Sequence, residues 1–560
     1  MSSKRWNLLP HIPDKLLDLI PGFPPFMAQI LFNRGLMDAA QLQSFITADR
    51  SLSADPFLLP GMHQAVSRIY RALLSGETIA IYGDFDADGI TATAVLVKGL
   101  SALDGKVIPY IPHRVTEGHG LKTTALERLR RQGVTLVITV DCGITGVSEV
   151  RKARRAGPDI VITDHHTPPD EIPQAFAVVD PRLAESSYPF PDLAGVGVAY
   201  KLLQALYLSI GREEQIDELT DLVALGTVAD MMPLLGENRY LVKRGLEIIN
   251  KSPRLGILEV LKQAGVTPGN ITSENISWII APRINTASRL DHALPSYELM
   301  MTDSPDRAQT LASWLEKKNT ERQKITTSAT EKARQQVIAD GISPLLMVGD
   351  AGYPAGIAGL VASRLADEFY RPSVVIRTGN RTSSGSCRSI PEFNIIQALN
   401  HCGHLFTQFG GHAQAAGFII PTGNLSELRK CLMQLATVQL ADVDLRPRVD
   451  IDVEVRLPDI AGDAFETMQQ LAPFGQGNPS PVFITRHVDV DNCRIMGNDG
   501  GHLRFSLRQD DMLWDAVGFG MGASFNETNS PIDIVYNLEI DRWGGEERLR
   551  LNLIDFAPAE

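Results

Sequence analysis

At 560 residues the chain is long enough for about three or four domains, and its 44% hydrophobic and 21% charged content is that of an ordinary globular protein. No run of about 18 apolar residues occurs, and Lys4-Arg5 leads into a Pro-interrupted stretch rather than a secretory core, so neither a membrane partner nor export is expected. The net charge of −13 leaves any nucleic-acid contact to a local basic groove, while five cysteines, odd in number and without a C-x-x-C pair, speak against a disulfide framework or structural zinc and fit a reducing cytoplasm.

Residues 1–60 read as a helical lead-in broken at Pro21, Pro24, Pro25, Pro56 and Pro60. Beyond them, short apolar strands at 79–83, 107–111, 136–140, 160–163 and 177–179 alternate with helical stretches. That alternation predicts an α/β domain with a doubly wound parallel sheet, helices on both faces and functional residues at the carboxyl ends of the strands. Its first strand, Ile79 to Tyr82, runs into Asp84, Asp86 and Asp88 before Gly89 releases an apolar run of helical length. Three carboxylates at the end of a buried strand repel one another and are costly to desolvate. A hard divalent cation resolves that conflict; an acidic turn at a helix N-terminus would also tolerate the charge.

Further apolar elements end in the same way, at Asp141-Cys142-Gly143, at Asp164-His165-His166 and at Ala229-Asp230. Asp180-Pro181-Arg182 is read as a turn. Residues 236–300 read as mostly helical, and a polar helical stretch from Asp306 to Asp340 lacks Gly and Pro, as a connector between lobes would. Its Lys and Arg residues are read chiefly as a solvated face. A second α/β domain, rich in Gly, runs from about 345, and from about 447 short strands at regular spacing suggest a small OB-like β-barrel.

Together Asp86, Asp88, Asp141, Asp164, His165, His166 and Asp230 mix carboxylates with imidazoles. Such a set suits two Mn²⁺ or Mg²⁺ ions about 3.5–4 Å apart, able to activate water and brace both oxygens of an in-line displacement at phosphorus. Gly83-Asp84-Phe85-Asp86-Ala87-Asp88-Gly89, Val140-Asp141-Cys142-Gly143, Asp164-His165-His166 and Gly226-Thr227-Val228-Ala229-Asp230 stand in the order of the motifs of the DHH phosphoesterase family, which the chain resembles. Within that family it is most similar to the branch of 5′→3′ exonucleases specific for single-stranded DNA. Tyr110 to Arg114, Pro282 to Leu290, Gly385 to Ser389, Phe409 to Gly417 and Pro473 to Pro479 extend the likeness over roughly residues 60–555.

The resemblance implies a DHH domain at 61–302, a connector helix at 303–344, a DHH-associated α/β domain at 345–445 and an OB-like β-domain at 446–560. It implies Asp84, Asp86, Asp88, Asp141, His165 and Asp230 as metal ligands, with Asp164 and His166 as catalytic residues and His166 facing the scissile phosphate. Arg114, Arg289, Ser386, Arg388, Ser389, Gly410, Gly411 and His412 become candidates for holding nucleotide phosphates. The expected reaction is stepwise release of 5′-mononucleotides from single-stranded DNA, in recombination and repair. The implied partners are a helicase and a single-strand-binding protein, and the implied state is a cytoplasmic monomer. Tyr82 stands where the family at large has a histidine, Gly352-Tyr353-Pro354-Ala355-Gly356 stands where Trp-His-Pro-Gly is usual, and Ala281 and Ser288 replace glycines. The rival readings are a phosphodiesterase of short oligonucleotides or cyclic dinucleotides, a non-catalytic single-stranded-DNA-binding relative and a pyrophosphatase-like enzyme.

Overall fold

The computed structural model describes residues 3–13, 23–497, 500–527, 531–541 and 547–559. Of the sequence features above, Pro21 lies outside them. The chain divides into two compact units, one of residues 54–232 and 241–445, the other of residues 1–53, 233–240 and 446–560.

The larger unit holds two sheets. In the first, β-branched apolar runs form β1 (Thr78–Tyr82), β2 (Lys106–Tyr110), β3 (Val134–Val140), β4 (Asp159–Thr163) and β5 (Ala177–Val179). They lie in the order β2-β1-β3-β4-β5, and every pairing is parallel. Alternate residues of the strands, among them Ala80, Tyr82, Val137 and Ile162, pack against Leu126 and Leu129 of α2 (Thr123–Arg131) and Val150 and Ala153 of α3 (Val147–Ala156). The other face receives α1 (Ala87–Ser101) and α4 (Gly195–Leu208). These two helices are so close that a Cβ on Gly99 would stand 2.3 Å from Leu203. The direction of winding reverses between β1 and β3, and in such sheets that reversal opens a crevice beyond the carboxyl ends of the strands.

Helices α5 (Thr220–Ala229) and α6 (Ala281–Leu290) follow, and then α7 (Pro305–Asp340), 36 residues long and capped at its start by Ser304. Several of the cations on α7 are paired, Lys318 with Glu321, Lys332 with Asp350 and Arg334 with Glu368, as expected of a solvated face. The second sheet comprises β6 (Leu346–Asp350), β7 (Ser373–Arg377), β8 (Thr382–Arg388), β9 (Gln408–His412) and β10 (Ala415–Pro421), in the order β9-β10-β8-β7-β6. Only β6 and β7 are parallel. Beside it, Cys402 and Cys431 form a disulfide across 29 residues. Cysteine count and spacing spoke against a disulfide framework, yet this one pair is bonded: the fold brings the end of helix Ile395–His401 against helix Leu425–Gln439, a proximity that count and spacing do not encode.

In the smaller unit five strands close into a barrel: Phe483–Met496, His502–Gln509, Met512–Gly518, Arg548–Pro558 and Ile532–Asp541, the last pairing back onto the first. Closure removes exposed sheet edges. The lead-in is not wholly helical: Arg5–Leu8 is a strand, parallel to Arg448–Ile451. Its helices Pro25–Asn33 and Ala39–Thr47 bury Met27, Ile30, Leu31 and Phe45 in the same core as Phe483, Phe505, Trp514 and Tyr536. Arg239, fully buried in this unit, donates to the carbonyls of Phe45, Leu471 and Ala472 at 2.7–2.8 Å and reaches those of Gln470 and Pro473 at 3.4 Å. No helix among the described residues is long and apolar enough to cross a membrane.

Candidate metal centre

The three acidic residues after β1 reach the crevice by different routes. Asp84 is buried in the loop just beyond the strand. Asp86 is the N-cap of α1 and accepts from the Asp88 and Gly89 amides at 3.1 Å. Asp88, in the first turn, turns towards α4, whose Gly195 and Val196 amides each donate to its carboxylate at 2.7 Å. Gly83 permits this turn, because a Cβ there would lie 2.0 Å from Thr93 Oγ1.

Asp141, directly after β3, adopts φ +58°. A side chain on Gly195 would place its Cβ 2.5 Å from Asp141 Cβ, so the start of α4 must be bare for both carboxylates to fit. After β4, Asp164 accepts from the amides of Ile144 (2.9 Å), His165 (2.8 Å) and His166 (3.2 Å) and faces His166 Nδ1 at 2.7 Å. Asp230 caps the end of α5.

These elements converge on His165. Its Nε2 lies 3.1 Å from Asp141 Oδ1, 3.6 Å from Asp230 Oδ2 and 3.9 Å from Asp88 Oδ2. Among the described residues three triplets have ligand atoms within 4.8 Å of one another: Asp141 with His165 and His166, Asp88 with His165 and Asp230, and Asp84 with Asp86 and Asp141. All six expected ligands are thus brought together, and Asp164 stands behind them, its oxygens taken up by protein donors.

The electrostatics are those of a site short of positive charge. Burial, followed by repulsion from the neighbouring carboxylates, pushes Asp88 and Asp141 well above the usual carboxylate range. Burial and Asp86 raise Asp230 to about 7. Burial and His166 lower His165 to about 4, which keeps its ring neutral and a lone pair available at neutral pH. His166 goes the other way: against the cost of burial, its hydrogen bond and charge contact with Asp164 raise it to about 9. Burial works against the Asp164 carboxylate too, but His166 and the Ile144 amide hold it down to about 2. Asp84 Oδ1 and His165 Nδ1 are buried without a hydrogen-bond partner. Repelling carboxylates, a neutral imidazole and an orphaned carboxylate oxygen fit hard divalent cations.

The substrate candidates divide. Arg114 lies over the Phe85 ring at 4.7 Å. Burial lowers Arg289 to about 9, helped by the charges of Arg114, Arg322 and Arg388. Cations that crowd one another beside the carboxylates make a site for an anion. Arg289 Nη1 donates to Gly356 O at 3.2 Å, and a Cβ on Gly356 would meet Arg289 O at 2.2 Å, which locks α6 to the loop after β6. Ser386 and Arg388 are half-buried on β8. Ser389 has its hydroxyl committed to Phe393 O at 2.6 Å. Gly410, Gly411 and His412 are exposed on the edge strand β9, and among the described residues no hydrogen bond or ion pair joins them to the acidic cluster.

Sequence reasoning missed three contributors. Asn285 Oδ1 accepts from the Ala87 amide at 2.8 Å and so fixes the start of α1. The Gly195 and Val196 amides hold Asp88, as described. His119 Nδ1 lies 3.0 Å from Asp84 Oδ2, and the one sequence signal for it is a histidine set between Gly118 and Gly120. The turn read at Asp180 is present, with Arg182 N donating to its carboxylate at 2.8 Å.

Comparison with known proteins follows the same plan. The sequence matches the models of the DHH family N-terminal domain over residues 78–227, the DHHA1 domain over 335–437 and the RecJ OB domain over 451–555. It is 36% identical to the single-stranded-DNA-specific exonuclease RecJ of Bacillus subtilis, the match covering 100% of this chain and 71% of that protein. It is 29% identical to that of Escherichia coli, over 97% and 98% of the two chains. Thermus thermophilus RecJ in complex with Mn²⁺ superposes with a TM-score of 0.85 at 30% identity, covering 99% of this chain and 80% of that one. The Mg²⁺ complex gives 0.80 at 28% identity, with 99% and 79% coverage.

Proposed function

The chain belongs to the RecJ family, and from that premise we propose that it is a metal-dependent exonuclease of single-stranded DNA that works from the 5′ end and releases 5′-mononucleotides. The observation that supports it most directly is the meeting of Asp88, Asp141 and Asp230 on His165 Nε2 at 3.1–3.9 Å, at the reversal point of a parallel sheet. RecJ structures from a relative hold Mn²⁺ or Mg²⁺. In this chain Asp84, Asp86, Asp88, Asp141, His165 and Asp230 would hold a pair of such ions. Once bound, the ions supply Lewis acidity, which makes water a nucleophile near neutral pH and offsets charge at phosphorus.

The protein's own groups do the rest. His166, whose Nδ1 faces Asp164 at 2.7 Å, donates a hydrogen bond from its other ring nitrogen to a phosphoryl oxygen as negative charge grows there. Arg114, Arg289 and Arg388 take the nucleotide phosphates, with Ser386 beside them. Ser389, Gly410, Gly411 and His412 contribute backbone and surface rather than the first contacts. The closed barrel of the smaller unit binds the strand further along. The setting we propose is a cytoplasmic monomer working beside a helicase and a single-strand-binding protein in recombination and repair.

The test is digestion of single-stranded and duplex DNA, labelled separately at each end, with Mn²⁺, Mg²⁺ or a chelator. Release of the 5′ label as mononucleotide from the single strand alone, abolished by the chelator, is expected. A product ladder confined to very short oligonucleotides would transfer the site to the short-substrate phosphodiesterases, and binding without cleavage would make the chain a DNA-binding relative.

A further inference from the structure

We propose that His119 is a positioning residue: it fixes the Asp84 carboxylate so that the other oxygen of that group is presented to a divalent cation. The inference rests on the reading of the acidic cluster as a metal centre. Asp84 is buried, and its two oxygens have unequal surroundings. Oδ2 meets His119 Nδ1 at 3.0 Å, whereas Oδ1 is buried without a hydrogen-bond partner of good geometry, although the Phe85 amide also acts on the carboxylate. A buried carboxylate oxygen with no partner is costly, and Asp84 belongs, with Asp86 and Asp141, to a triplet in which one ligand atom from each residue lies within 4.8 Å of the others. A donor on one oxygen restricts how the carboxylate can turn and leaves the other oxygen without a protein partner. Neighbours of this kind, one bond removed from a metal, commonly set the orientation and basicity of the ligands.

The placement of His119 is built, not incidental. Its ring packs edge-on against Phe85, 6.3 Å between centroids, and against His166 at 5.5 Å. The loop that carries it is tied to the ends of β1 and β2. Tyr82 donates its hydroxyl to Gly120 O at 3.2 Å, and Glu117 accepts from the Tyr110 hydroxyl at 2.5 Å and from the His113 amide at 2.7 Å. Gly118 and Gly120 both have φ in the left-handed region, +74° and +81°, so the backbone folds sharply on either side of the histidine and turns it inward. With Nδ1 engaged by Asp84, Nε2 is the nitrogen left over, on a side chain that is half exposed. The two nitrogens therefore define two separable roles: Nδ1 acts on the carboxylate, whereas Nε2 could act only on a substrate.

Three substitutions separate them. His119→Phe removes both nitrogens, His119→Asn keeps a donor close to the position of Nδ1, and His119→Gln keeps one close to that of Nε2. Mn²⁺ binding to the full chain is measured calorimetrically without DNA, and kcat and KM are measured on a single-stranded oligonucleotide. His119→Phe is expected to weaken Mn²⁺ binding by about tenfold with KM for DNA unchanged. His119→Asn is expected to recover most of that loss, and His119→Gln none of it. Parental Mn²⁺ affinity in His119→Phe, or recovery by His119→Gln and not by His119→Asn, would overturn the assignment. If the parent protein itself binds no Mn²⁺, the metal centre fails and the role of His119 fails with it. If the parent binds and His119→Phe binds equally, the role of His119 fails alone. Matching circular dichroism across the three variants excludes misfolding as the source of any loss.

Discussion

Two buried sets of charge in this molecule behave in opposite ways. In the smaller unit Arg239 is sealed from solvent, yet five carbonyl oxygens surround its guanidinium and the Phe45 ring lies 3.8 Å from it. Burial lowers it only to about 10, so it stays charged and fully engaged. In the crevice of the larger unit, carboxylates are buried against one another, Asp88 and Asp141 are pushed far up, and Asp84 Oδ1 and His165 Nδ1 have no partner. A buried charge that the protein satisfies by itself holds a fold together. The set left unsatisfied in the crevice is one that divalent cations would complete. The difference is visible only from the partners, since burial alone would rank the two sets alike.

The sharpest way to break this contrast is to remove one member of each set. Asp141→Ala or His165→Ala should cut turnover on single-stranded DNA by more than about a hundredfold, because a ligand should matter at least as much as the neighbour that orients it. The metal-free fold should not suffer in Asp141→Asn, since that variant relieves repulsion and keeps a residue that tolerates the left-handed φ. Undiminished cleavage in the alanine variants, or a clear drop in the unfolding midpoint of Asp141→Asn, would contradict the assignment. Arg239→Ala should do the reverse. Stripping the donor from several buried carbonyls should cost roughly 3 kcal/mol or more in urea denaturation, while the turnover of the folded fraction stays at the parental value.

A gentler test uses pH. An unfolded aspartate titrates near about 3.9, whereas Asp230 in the fold titrates at about 7, because burial and Asp86 disfavour its charge. A carboxyl raised in this way costs stability above its folded pKa, and the cost fades as the pH falls through about 7. The metal-free protein should therefore melt a few degrees higher at pH 6 than at pH 8. Asp230→Asn should shrink that gap, because an amide does not titrate. A gap of the opposite sign, or one indifferent to Asp230→Asn, would show that the carboxylates do not strain the fold.

Much of this was legible in the sequence, and the limits have physical causes. The parallel sheet followed from apolar runs such as Leu136 to Val140 spaced by helical stretches, and the acidic cluster followed from those runs ending in aspartate. A strand's carboxyl end is a position that period and length can locate. Orientation is not: nothing in Asp164-His165-His166 says that the first residue would be saturated by amides and the second left neutral. Likewise the stretch Pro473 to Pro479, which carried part of the resemblance, lies beside Arg239, and its Asn478 amide donates to Leu471 O and Pro473 O. A motif can mark a family through its scaffold as well as through its chemistry. The Cys402–Cys431 bond and the strand at Arg5–Leu8 were missed because each depends on a partner far away along the chain.

The smallest expected effect separates two neighbours that the sequence treats alike. Arg388 and Ser389 stand side by side in one motif, and both were candidates for phosphate. Arg388 is half-buried on β8, its pKa lowered by burial and by the charge of Arg114, and one of its donors is spent on Cys387 O at 2.8 Å. It has donors to spare for an anion that would also relieve its repulsion from Arg114. Ser389 has none, because its single hydroxyl proton goes to Phe393 O. Arg388→Ala should therefore raise KM on single-stranded DNA by about tenfold, the loss of one charge-assisted contact, with Mn²⁺ binding unchanged. Ser389→Ala should leave kcat and KM alone and cost only about 1 kcal/mol of stability. Equal losses of affinity in the two variants would mean that the Ser389 hydroxyl leaves Phe393 when DNA binds. The contrast between satisfied and unsatisfied groups would then hold for the free protein and not for the complex.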